Sequence, residues 1–122
     1  EVIGMRHLSA PTHLSPESFK QGMLVCHQAF IPRRSIVPLY DLTYRFSADY
    51  DWCIKCLKVS RKNAYLGATP IVSFLTDGLT NKYHKKSLKE RVDIMCKNYG
   101  TLTTILLHIS FIPRYLLRKI KS

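Results

Sequence analysis

The chain has 122 residues, 46% of them hydrophobic and 22% charged, enough for one domain with a modest core and incompatible with wholesale disorder. Its formal charge of +11 gathers at one end, since ten of the 19 Lys and Arg fall within residues 82–122 against two of the eight Asp and Glu. Such a surface attracts phosphate, nucleic acid or anionic lipid without choosing among them, and a solvated basic helical face accounts for it equally well.

Glu1 is followed by Val2-Ile3-Gly4-Met5, which reads as a strand already under way, with no charged and apolar leader before it; a piece of a longer protein is expected. Ser15-Pro16-Glu17 signals a helix start, because Ser15 can accept from free amides and Pro16 suits the first helical position. A short helix is predicted from Pro16 to about Met23. Leu24 to Ile31 has strand composition, with Pro32 ending it or confining it to an edge, and His27 and Gln28 then point to opposite faces. One helical turn is expected over Ser35 to Leu39, and a loop from Tyr40 to Arg45.

The next helix is predicted from near Ser47 to about Ser60, with Tyr50, Cys53, Ile54 and Leu57 forming its inward stripe. Ala64-Tyr65-Leu66 and Ile71 to Leu75 are further strand candidates, and Asp77-Gly78 marks a turn. Leu88, Val92, Met95, Cys96 and Tyr99 recur at helical spacing over Ser87 to Tyr99, and Gly100 is a stop signal. A last helix is predicted from about Thr101 to Ile120, broken or kinked at Pro113. Its uncharged stretch, Gly100 to Pro113, is shorter than the roughly 20 residues of a membrane span, so lying on a membrane is expected rather than crossing one. The mixed order fits an α/β or α+β class with few strands and two terminal helices, these last being basic and amphipathic over 82–122.

Cys26, Cys53, Cys56 and Cys96 lie outside Cys-punctuated loops, so reduced thiols in the cytoplasm are expected. Trp52-Cys53-Ile54-Lys55-Cys56 matches the Trp-Cys-x-x-Cys pattern of thioredoxin-like proteins. However, Asp49 and Asp51 precede the cysteines and oppose thiolate formation, and the segment from Cys56 to Pro70 is too short for the elements that pattern requires. Zinc held by Cys26, His27, Cys53 and Cys56 is imaginable, but a single Cys-x-x-Cys inside a helix fits buried structural cysteines better, and no metal ligand is assigned.

Asp49 is the residue that points to chemistry. A carboxylate at a helix start is favoured by the positive helix end and is placed to accept a proton, although taken alone Asp49 and Asp51 read more simply as acids that decorate the start of a helix. The series Cys26-His27-Gln28-Ala29-Phe30, Arg33-Arg34, Tyr40-Asp41 and Tyr44-Arg45-Phe46-Ser47-Ala48-Asp49-Tyr50-Asp51-Trp52 resembles the C-terminal half of family-two glycosyltransferases, the inverting GT-A enzymes of bacterial polysaccharide assembly. Phe74, Asp77-Gly78-Leu79-Thr80 and Ser87-Leu88-Lys89-Glu90-Arg91 extend the likeness over nearly the whole chain.

That resemblance implies an α/β class, the acceptor-side portion of a GT-A nucleotide-diphospho-sugar transferase fold, with residues 1–81 as part of the catalytic domain and Asp49 as general base. The family's usual Glu-Asp pair is Ala48-Asp49 here, which loses a polar contact and keeps the base. Asp51 matches the second Asp of the run and is expected to orient the helix start. His27 and Gln28 are expected to face donor and acceptor, Arg33 and Arg34 to bind a phosphate, and Trp52 to stack on sugar, with core or solvated roles as the alternatives for each. The donor would be a nucleotide-sugar and the acceptor a glycan or a polyprenyl-diphosphate-linked glycan. A divalent ion, Mg or Mn, would be held mostly by an Asp-x-Asp motif upstream of Glu1, so this piece alone would not turn over. The tail is suited to peripheral contact with the inner, anionic face of the cytoplasmic membrane, with packing onto the catalytic domain as the alternative. A small basic module for anionic membrane or nucleic acid is the rival, but no nucleic-acid motif or interleaved exposed aromatics support nucleic acid as a partner.

Overall fold

The computed structural model describes residues 10–67, 71–72 and 83–121. The candidate strand at Val2 to Met5, most of the one at Ile71 to Leu75, and the Asp77-Gly78 turn lie outside them. Among the described residues every regular element is helical, which overturns the expected α/β class. Three short 3-10 segments, Pro16–Gln21, His27–Ala29 and Arg34–Ile36, precede the helices α1 (Ala48–Val59), α2 (His84–Tyr99) and α3 (Thr101–Lys121).

The failure of the strand at Leu24 to Ile31 has a local cause. A strand leaves its amides to a neighbour, and no described segment offers one. The backbone satisfies itself instead: the Ala29 amide donates to the Cys26 carbonyl at 2.8 Å and the Phe30 amide to that of His27 at 3.2 Å, closing a 3-10 turn. Upstream, Gly22 at φ 115° turns the chain after the first segment. Ala64 to Leu66 is exposed and unpaired in any ladder.

The core is built around α1. Its predicted stripe, Tyr50, Cys53, Ile54 and Leu57, is buried as the spacing requires. Phe19 meets Tyr50 edge to face at 6.0 Å, and the Tyr50 hydroxyl donates to the Phe19 carbonyl at 2.5 Å. Met23 and Val25 close one side, and Ile94 and Met95 of α2 close the other. Burying a side chain of this size contributes about 1.5–3 kcal/mol, so Phe19, Ile54 and Ile94, all fully buried, anchor three separate segments on one another.

Helix α2 is rotated from the predicted stripe. Ile94, Met95 and Ser87 face α1, whereas Leu88 is exposed and Val92 and Cys96 turn toward α3. The helix packs on two sides, so one periodic stripe cannot describe it. Gly100, at φ 91°, ends α2 and lets α3 fold back along it. Two remote ties complete the fold: the Tyr99 hydroxyl donates to the Pro16 carbonyl at 2.5 Å, and the Asn63 side chain bonds both the amide and the carbonyl of Leu14.

Candidate functional site

The N-terminus of α1 is held in an unusual way. Ser47 occupies the cap position, yet its hydroxyl is directed to the carbonyl and hydroxyl of Ser87 and leaves the helix amides alone. The carboxylate of Glu90, on α2, instead accepts from the amides of Arg45 at 2.5 Å, Phe46 at 2.8 Å and Ser47 at 3.2 Å. A charged acceptor shared by three successive amides fixes the direction in which α1 begins. Asp49 and Asp51, both in the first turn, inherit that direction.

Asp49 is placed by two contacts. One carboxylate oxygen accepts from the Tyr50 amide at 2.9 Å, and the other lies 3.1 Å from His27 Nδ1. The side chains of Asp49 and His27 are 31% and 47% exposed, so the pair is fixed by the protein and open to solvent. With Nδ1 directed at the carboxylate, a neutral His27 carries its hydrogen there and presents Nε2 as an acceptor. The resemblance had set His27 at a strand end facing donor and acceptor, whereas here a 3-10 turn at His27–Ala29 carries it, beside Asp49.

The aromatic residues beside this pair are arranged differently from expectation. Trp52 is half-buried, its indole N–H donates to the Pro38 carbonyl at 2.9 Å, and Phe30 meets it edge to face at 6.0 Å. Tyr40 stacks on Trp52 with centroids 5.2 Å apart and planes 10° from parallel. The open ring is therefore that of Tyr40, which is 45% exposed. Burial pushes the Tyr40 phenol up, and the nearby Asp49 charge adds to this, which ties the ring electrostatically to the acid.

The other expected site residues stand apart. Gln28 is exposed, and its side-chain oxygen accepts from the Cys26 thiol at 3.7 Å. Asp51 is 4% exposed and ion-paired with Lys55 at 2.7 Å, which suits orienting the helix and removes it from contact with a substrate. Arg33 and Arg34 are exposed. Arg33 lines a cleft of about 490 Å³ together with Ile36, Cys56, Leu57 and Lys62, and neither Asp49 nor His27 reaches that cleft. Cys53 and Cys56 are buried inside α1, and burial pushes both thiols up, opposite to what a reactive dithiol needs.

Among the described residues no three His, Cys, Asp or Glu side chains converge to hold a metal ion. Sequence reasoning missed Glu90 and Tyr40. Glu90 gives no sequence signal, because its partners lie some 44 residues away. Tyr40 had one, an aromatic in the loop before an aromatic-bearing helix, but stacking across that loop is a tertiary fact. No family model matches the chain, and no curated protein or solved structure does.

Proposed function

We propose that this chain supplies the acceptor side of an inverting sugar transferase, with Asp49 as the general base. The observation that carries it is the partly open carboxylate of Asp49, held between the Tyr50 amide and His27 at the start of a helix whose direction Glu90 fixes. In the reaction, Asp49 takes the proton of an acceptor hydroxyl as that oxygen bonds to the anomeric carbon of a nucleotide-sugar. The bond from that carbon to the nucleoside diphosphate breaks, and the configuration inverts. Tyr40, stacked on Trp52 and open on its surface, offers a ring face to the acceptor glycan. A divalent ion and the nucleotide belong to the donor side of the intact enzyme.

The His27 contact favours a second assignment within the same chemistry. His27 Nε2 would take the proton while Asp49 holds Nδ1–H. Two variants of the intact enzyme separate these, assayed by nucleoside diphosphate release with donor binding measured in parallel. Asp49→Asn is expected to lower transfer by about 10²-fold or more with donor binding retained. His27→Gln, which keeps a donor to the carboxylate, lowers it by less than about tenfold if Asp49 is the base. Near-normal turnover in Asp49→Asn removes Asp49 from the role.

A further inference from the structure

Helix α3 is apolar on two opposite sides. The inner side packs normally: Thr104 is fully buried with its hydroxyl on the Gly100 carbonyl at 2.8 Å, and Leu107 and Phe111 lie against the core. Among the described residues nothing covers the outer side. Leu102, Ile105, Ile109, Ile112, Leu116 and Ile120, spaced by three or four residues, form one ridge in which each side chain is more than half exposed. At about 1.5 Å per residue the ridge is about 27 Å long. Val92 and Cys96 of α2 widen it, lining with Ile105, Ile109 and Ile112 an open groove of about 610 Å³. A solvated helix would carry charge on such a face, and the α3 sequence has none before Arg114.

The charge around the ridge has one sign. Residues 82–122 hold ten Lys and Arg and two acids, an excess of eight positive charges, and both acids are committed on the side facing the loop before α1. Glu90 binds the amides of residues 45–47, and Asp93 accepts from the Tyr44 hydroxyl at 2.7 Å and pairs with Lys97 at 3.1 Å. Only Gly100 separates the two helices, and Val92 and Cys96 before it line one groove with residues as far along α3 as Ile109 and Ile112, so α3 runs back antiparallel to α2. Lys85 and Lys89, exposed on the ridge of α2 that leads to Val92, therefore come level with the C-terminal part of α3, where exposed Arg114 begins a run that the sequence continues with Arg118, Lys119 and Lys121.

We propose that the α2–α3 hairpin docks on an anionic lipid leaflet, its apolar ridge inserted at the level of the headgroups and its cationic end on the lipid phosphates. The ridge and the charge select this occupant together. Nucleic acid would use the cations and leave the ridge in water, and a second copy would bring the same positive excess to the contact. Interfacial helices of this composition lie in the membrane plane with the apolar face sunk about 5–10 Å. Among the described residues no helix is long and apolar enough to cross a membrane. Pro113 also fits a shallow position, because it leaves the Ile109 carbonyl without its usual amide donor, a loss that headgroups and water can make good. The inference does not depend on the role of Asp49.

Co-sedimentation of the chain with vesicles of phosphatidylcholine, with and without phosphatidylglycerol, tests it. Binding to the phosphatidylglycerol vesicles is expected to exceed binding to pure phosphatidylcholine by about tenfold or more. The double variant Ile105→Ser/Ile109→Ser, at exposed positions and with helicity checked by circular dichroism, should weaken that binding by about tenfold or more, and Lys85→Gln/Lys89→Gln should reduce the preference for phosphatidylglycerol. Equal binding to both vesicles overturns the proposal, as does a ridge variant that binds like its parent. So does a concentration-dependent dimer in sedimentation velocity that the ridge variant disperses.

Discussion

Replacing Glu90 by Ala should loosen the start of α1 without touching α1 itself. The substitution removes an acceptor shared by the amides of Arg45, Phe46 and Ser47. Hydrogen bonds to a charged group contribute about 1.5–3 kcal/mol each. Arg45 is exposed, so water replaces its bond at small cost, whereas Phe46 is half-buried and Ser47 fully buried. Two poorly solvated amides then lose a charged acceptor, which corresponds to a loss of about 2–4 kcal/mol, a large part of the roughly 5–15 kcal/mol that holds a domain folded. Urea unfolding reads the loss as a lower midpoint at unchanged slope, and hydrogen exchange at the amides of 46 and 47 locates it. Glu90→Gln, which keeps an oxygen and loses the charge, should fall between parent and Ala. A loss under about 0.5 kcal/mol, with exchange at those two amides unchanged, would refute the reasoning and show that water already satisfies them.

Three further changes probe other parts of the chain. Tyr50→Phe removes one of two donors to the Phe19 carbonyl, the Gly22 amide remaining, and should cost about 0.5–1.5 kcal/mol at neutral pH. Burial pushes the Tyr50 phenol up from 10.0 to about 12, so its contribution is whole below pH 10.0 and is lost as pH rises toward 12; urea midpoints of parent and variant should converge over that window, and a constant gap contradicts the linkage. Gly100→Ala meets nothing within 4 Å of its new Cβ, so its cost of about 1 kcal/mol in urea unfolding comes from the positive φ alone, and an unchanged midpoint means that the backbone is unstrained. A thiol reagent should modify the partly exposed Cys26 and Cys96 in the folded protein, and Cys53 and Cys56 only after unfolding; rapid labelling of either buried thiol would contradict their burial.

Helix α1 was legible from sequence because its information is local: a period of apolar residues, acids in its first turn and a polar break after it lie within one short stretch. Gly100 was legible for the same reason, since a single residue without a Cβ determines where α2 can stop. The segment from Leu24 to Ile31 was misread because strand composition records a preference for a half-buried surface, and only a neighbouring strand turns that preference into structure. Tertiary structure alone decided that Ile94 rather than Leu88 faces the core, that Glu90 holds the start of α1, and that Tyr40 rather than Trp52 shows an open ring. Each depends on which helix faces which, and the short-range spacing of residues carries no record of that. The meeting of Asp49 and His27 belongs to both levels: the helix start that bears the acid is written in the local sequence, but the 3.1 Å contact exists because Phe19, Tyr50 and Ile94 draw three distant segments into one core.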